Sequence, residues 1–396
     1  MDTIFSESIQ TDSPPGTKEI SVTLYTWLLV FSTTSIITGL LWDISWHMSI
    51  GRDTLFSPPH LLIYAGGIVA GLGSIFKMFM ITFSANKSEE REKCVNFWGF
   101  RAPLGSLFSI WGSAAMLTSA PFDDWWHNAY GLDVKILSPP HALLFLGMLA
   151  IITGAMLNVL ALQNQQENSI YRKGQHLRYI YAFTAGIFLL IFYLFVIEHT
   201  SRIRQHNPLF YQIACGVFPI PLMSTMRGSR LKYPATAITA VYTIILLLQL
   251  WIFPLFPAQP KLAPILNPIT HFVPLLFPLL LIVPGYALDR LFQGKISERK
   301  LWMQALAAGL VFYISFLVTH WTSSIFLNYG PSQNSIFMTH ALPYYRDPAA
   351  PGRFEFLPYD GTTFQYISGF IIALLLAVLS SRIGLGWGNW MRRVQR

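Results

Sequence analysis

Asp43, His47 and His60 stand at the spacing Asp-x3-His-x12-His, and Asp123, His127 and His141 repeat it as Asp-x3-His-x13-His. One carboxylate and two imidazoles without a thiolate suit a divalent first-row ion: copper, zinc or non-haem iron. Three protein ligands leave a coordination position open, as a reactive site needs. Asp43 and His47 are four residues apart, so on a helix they share a face. Pro58-Pro59 and Pro139-Pro140 precede the second histidine of each set. Prolines are excluded from a helix interior but suit its first turn. His60 and His141 are therefore expected to open a new helix beside the end of the previous one. Each copy also holds a Gly-x-Asp, Gly51-Arg52-Asp53 and Gly131-Leu132-Asp133, expected to close the loop or to support the histidines from behind. A lone Asp or His at a helix end is ordinarily an interfacial residue. Duplication sets this pattern apart, because ionisable groups near an apolar layer are costly and are normally paired or functional.

The elements that must position these groups are membrane helices. The chain has 396 residues, 53% hydrophobic and only 12% charged, against roughly 25% charged in a soluble domain. At roughly 20 residues per span, apolar runs predict about ten transmembrane helices, at 20–42, 59–83, 102–121, 141–163, 178–197, 207–225, 234–255, 264–288, 301–321 and 362–382. Prolines interrupt the sixth and the eighth. The fold class expected is thus an all-α integral membrane protein. Its N-terminal half would be a parallel repeat of two helical hairpins, related by a pseudo-twofold along the membrane normal.

Three regions follow: a polar, disordered tail over 1–19, a four-helix metal-binding repeat over 20–165, and a six-helix membrane domain over 166–396 with a long loop at 322–361. The first apolar run lacks a basic flank and a cleavage site, and reads as a retained anchor. Lys and Arg concentrate in alternate loops, at Lys87–Lys93, Arg172–Arg178, Arg227–Lys232, Arg290–Lys300 and Arg382–Arg396. By the positive-inside rule this puts both termini in the cytoplasm and the triads at the outer face. The net charge of +8 then needs no nucleic acid to explain it. Cys94 and Cys215 lie too far apart in setting to suggest a disulfide or a zinc-thiolate site. His199, His206, His271, His320 and His340 are expected at outer helix ends or loops, and Trp42, Trp46, Trp125 and Trp126 in an interfacial belt.

The run from Asp43 through His47 and Arg52-Asp53-Thr54 to Ser57-Pro58-Pro59-His60 resembles the C subunit of the copper membrane monooxygenases, the particulate methane and ammonia monooxygenases. The resemblance covers about residues 20–165. It implies copper at Asp43, His47 and His60, and a neighbouring copper site at Asp123, His127 and His141, where Asp123 stands in place of the family's Asn. It also implies other monooxygenase-type subunits as partners, or a homo-oligomer, and a small apolar substrate, all within the lipid bilayer.

Three functions follow as expectations. The first is a copper-dependent monooxygenase or its subunit, with Asp43, His47 and His60 catalytic and O2 activated to hydroxylate a small apolar substrate. The second is a copper or zinc binding or transport protein. Transport is weakened by the shortage of thioether ligands, since only Met48 adjoins a triad. The third is a metal-dependent membrane hydrolase with Asp124 as candidate base.

Overall fold

The computed structural model describes residues 23–51, 54–84, 89–131, 138–165 and 174–395. The expected 1–19 tail, Arg52, Asp53, Leu132 and Asp133 lie outside these residues.

Among the described residues the regular structure is helical apart from one small hairpin. In chain order come α1 (Leu24–Ser49), α2 (Pro58–Phe83), the single turn α3 (Glu89–Glu92), β1 (Val95–Phe97) paired antiparallel with β2 (Phe100–Ala102), α4 (Leu104–Tyr130) and α5 (Pro139–Gln165). There follow α6 (Gly174–Phe195), α7 (Pro208–Val217), α8 (Pro219–Gly228), α9 (Pro234–Ile252), α10 (Ile282–Phe292), α11 (Leu301–Leu327) and α12 (Thr363–Met391). Among the described residues, eight helical stretches are long and apolar enough to cross a membrane: α1, α2, α5, α6, α7 with α8, α9, α11 and α12.

Sequence explains the ends. Thr23 caps α1 through its side chain, and Thr362 with Gln365 forms a capping box on α12. Pro58 and Pro139 occupy first helical positions, where a missing N–H costs nothing. Gly51 and Gly131 follow α1 and α4 with φ of 88° and 93°, a conformation that a side chain would strain.

α1, α2, α4 and α5 pack as a ring in which each helix touches the next and α5 returns to α1. At one end of the ring sit Asp43, His47, His60, Asp123, His127 and His141. At the other, Tyr25 Oη bonds Ser74 and Ser106 at 3.0 and 2.8 Å, and Thr26 Oγ1 donates to Asn158 Oδ1 at 3.1 Å. Residues 25 and 43 are separated by about 27 Å at 1.5 Å per residue, close to a bilayer's apolar thickness. Lipid offers helices no hydrophobic drive to associate, so close backbone approach carries the packing. Gly112 and Gly147 face each other, and a Cβ on either would come within 2.6–2.8 Å of the other's carbonyl oxygen.

The expected helix at 264–288 is a correction. Residues 272–280 carry no regular secondary structure, Leu281 turns, and only Ile282–Phe292 is helical. Pro264, Pro268, Pro274 and Pro278 remove four amide donors there. Val273 N–H donates to Ser49 Oγ at one end of the molecule, while Asp289 accepts from Ala235 N–H, Thr236 N–H and Thr236 Oγ1 at the start of α9. The stretch therefore runs the length of α9, first irregular and then helical. Exposed amides cannot persist in lipid, and side chains satisfy them: Leu275 N–H donates to Gln249 Oε1 and Leu280 N–H to His320 Nε2, both at 3.1 Å. Likewise the expected helix at 207–225 is broken at Phe218 between α7 and α8, ahead of Pro219 and Pro221.

One apolar core joins the two halves. α6 lies within it, packed against α1, α5, α8 and α9, and Tyr181, Leu189, Leu190 and Ile191 are fully buried there.

Candidate metal centre

The histidine of each Asp-x3-His lies in the last turn of its helix, and the second histidine in the first turn of the next. The two ends meet because each hairpin packs antiparallel. In the second triad, Asp123 reaches both rings: Oδ2 is 3.3 Å from His127 Nε2 and Oδ1 is 3.3 Å from His141 Nε2. One ligand atom from each of the three lies within 4.8 Å of the others. In the first triad, Asp43 Oδ1 is 3.3 Å from His60 Nε2, and Oδ2 is 3.9 Å from His47 Nε2. The carboxylate thus stands between two imidazoles in both copies, more tightly in the second.

The protons on these rings can be assigned from their other nitrogens. His60 Nδ1 lies 2.9 Å from Thr54 O, and His127 Nδ1 lies 3.3 Å from Gly131 O. A carbonyl oxygen only accepts, so Nδ1 carries the hydrogen in each. In the neutral ring, Nε2 is then a bare lone pair aimed at a carboxylate oxygen. Two acceptors facing each other at 3.3 Å repel unless a cation lies between them. Asp43 Oδ1 and Asp123 Oδ1 are moreover buried without a hydrogen bond. A buried unsatisfied acceptor costs about 1–3 kcal/mol, more when charged. A proton can bridge one carboxylate–imidazole contact, whereas a divalent ion serves all three side chains at once. The donor set of the second triad therefore fits a metal ion of the imidazole–carboxylate class, and the first offers the same donor types in a looser arrangement.

Among the described residues, Asp123, His127 and His141 close into one cluster with ligand atoms mutually within 4.8 Å, whereas Asp43 lies near His60 and, more loosely, His47 without the three reaching that closeness. The structure does not recruit Asp124, which is exposed and accepts from Asn128 Nδ2 at 3.4 Å. The backbone carbonyls of Thr54 and Gly131, which fix the ring orientation as outer ligands do, were beyond a reading of side-chain types. Their signal was position alone, inside the loop joining each pair of helices.

The histidines of the second half do not join these sets. His320 was expected at an outer helix end but is buried inside α11, where Nδ1 donates to Phe316 O at 2.9 Å and Nε2 accepts from Leu280. His206 is stacked between Trp321 and Phe356, at 4.0 and 3.6 Å between ring centroids. His271 Nδ1 meets Thr270 Oγ1 at 2.9 Å, His199 is exposed at the end of the 3-10 turn Ile197–His199, and His340 is exposed in a turn. Trp42 and Trp46 pack with Ile50, Ala258 and Phe272 instead of lying free in a belt, whereas Trp125 is 55% exposed. Cys94 and Cys215 are not joined in a disulfide.

The chain matches no protein-family model, no curated protein and no solved structure.

Proposed function

We propose that the chain is a multi-pass membrane metalloprotein that binds copper at Asp43, His47 and His60 and at Asp123, His127 and His141, and acts as a monooxygenase or a subunit of one. The observation that carries the reading is the pair of buried, unbonded carboxylate oxygens, each 3.3 Å from an imidazole Nε2. Copper is favoured over zinc or iron by the likeness of the Asp43–His60 run to the copper monooxygenases. Bound copper would supply the one-electron chemistry that dioxygen activation requires. The chain's own residues would do the rest: Thr54 O and Gly131 O hold two rings with Nε2 directed at the ion, the carboxylates anchor it, and apolar helix faces admit a small lipophilic substrate.

The two sites belong to one repeat. Besides the ligands, the shift that takes 43 to 123 and 60 to 141 carries Gly51 onto Gly131, Ser32 onto Gly112, Ile36 onto Met116 and Gly66 onto Gly147. Gly66 faces Ser32 O and Ile36, as Gly147 faces Gly112 O and Met116. The chain crosses the membrane ten times in this reading, with α4 and the half-helical 273–292 stretch added to the eight apolar stretches. Both termini then lie in the cytoplasm and the triads at the outer face, as the basic loops require.

Metal analysis of the protein purified in lipid, with electron paramagnetic resonance, tests the reading. His47→Ala or His60→Ala should remove one of the two ions and leave the second triad loaded. Unchanged metal content in both variants would end the assignment at the first triad.

A further inference from the structure

At the end of the molecule remote from the triads, arginines gather, and no described residue gives them a counter-charge. Arg227 closes α8, with Nε donating to Asn389 Oδ1 at 2.9 Å and Nη1 to Gln304 Oε1 at 2.7 Å. Arg392 follows α12 and donates from Nε to Arg227 O at 2.7 Å. Arg393 donates from Nε to Asn389 O at 3.3 Å. Arg382, seven residues before Asn389 and so on the same face of α12, lies over Trp302 at 5.2 Å, and its Nε is buried without a partner. Every one of these contacts is to a neutral group. Among the described residues no carboxylate pairs with Arg227, Arg382, Arg392 or Arg393.

The local backbone does not balance this charge. The carbonyl ends of α8 and α12 offer about half a negative charge each, against four guanidinium groups. Burial and the neighbouring charge of Arg230 lower the pKa of Arg392, the direction expected for a cation whose neighbours are cations. Guanidinium groups in such a fork match the oxygens of a phosphate. The depth of the cluster is marked by Trp302, Trp387 and Trp390, which are 57%, 51% and 42% exposed, since exposed tryptophans of a membrane helix bundle collect at headgroup level.

We propose that the arginine cluster where the C-terminal ends of α8 and α12 meet the N-terminal end of α11 binds a phosphate group, that of an anionic phospholipid headgroup. A zwitterionic lipid offers the same phosphate, but its ammonium would meet the arginine cluster and be repelled. Free phosphate shares the chemistry and is separated by the test.

The test is native mass spectrometry of the full chain in detergent, with phosphatidylglycerol and phosphatidylcholine supplied in equal amounts. The wild type should retain the anionic lipid in preference by about tenfold, the factor that 1.4 kcal/mol represents. Arg227→Gln and Arg392→Gln should each erode the preference and the double variant abolish it, while Arg346→Gln, in the loop at the triad end, should not. Arg392→Gln guards against misfolding, because among the described residues that side chain hydrogen-bonds a single carbonyl. Inorganic phosphate that displaces the lipid from wild type would assign the site to the free anion. Failure to displace it would assign the site to the headgroup. Equal retention of both lipids, or a preference that survives in a folded double variant, would overturn the proposal.

Discussion

On the proposed reading the metal chemistry rests on two carboxylates, and the departure from the copper-monooxygenase pattern falls on one of them. Asp123 contacts both of its histidines at 3.3 Å, so Asp123→Asn removes a charge without emptying the space. Losing one charged ligand in a partly dry setting should weaken divalent binding by about tenfold or more, that is 1.4 kcal/mol. Cu(I) gains less from a hard anionic oxygen and should lose less. Asp124→Asn should leave both affinities unchanged, because that carboxylate bonds Asn128. Titration of both ions into each variant checks this, and equal divalent affinity throughout would reduce Asp123 to an interfacial carboxylate. The ligands were legible because their identity and spacing carry the information. The carbonyls of Thr54 and Gly131 were not, since every residue has one and only the folded loop selects which is used.

Among elements, the close helix pairs and the broken crossing make opposite demands. At Gly147 an added side chain meets Gly112 O and Met116, and overpacking of this kind costs about 1–3 kcal/mol. Gly147→Val should therefore spread α4 from α5, lower the unfolding temperature in detergent and selectively empty the second triad. Gly66→Val should do the same to the first. Loss of both ions in either variant would show that the hairpins do not act separately. At the broken crossing, His320→Ala strands the Leu280 amide, at a cost of about 1–3 kcal/mol for a buried unsatisfied donor. His320→Gln should recover part of it, and thermal unfolding of the two variants side by side reads the difference. Sequence gave reason to expect a helix at 264–288 because its residues are apolar. What it could not show is that Gln249, His320 and Ser49, each far away in the chain, would supply the bonds that let the backbone stay irregular.

For the whole molecule, composition alone established the class, since a chain so poor in charge must bury its helices in lipid or in each other. How the halves meet was out of reach, because it depends on single polar side chains that reach across. Asn164 Nδ2 donates to Met391 O and Val394 O, and Gln163 Nε2 donates to Gly228 O. With α5 carrying these groups, residues 1–165 produced alone should be less stable and hold metal more weakly than the full chain. Co-production with residues 166–396 should restore both, as read by metal content of the co-purified pair. A fragment that holds both ions with unchanged affinity would show the second half to be dispensable for the sites.

α1 has two working faces at its end. Asp43 and His47 look into the first triad, while Ser45 Oγ donates to Val273 O at 2.6 Å and Ser49 Oγ accepts from Val273 N–H at 2.8 Å. Two residues along a helix turn it by about 200°, so on the proposed reading the same two turns would hold the ion on one side and bond the irregular segment at Val273 on the other. Thermodynamic linkage then runs both ways: whatever factor the segment's conformation imposes on ion affinity, the ion imposes on the segment. Ser49→Ala should change the dissociation constant at the first triad, and loading that triad should change hydrogen exchange across 273–281 by the matching free energy. If the proposed site holds, the segment at 273–281 would be a lever with its fulcrum on α1, and a load on one arm would be felt at the other.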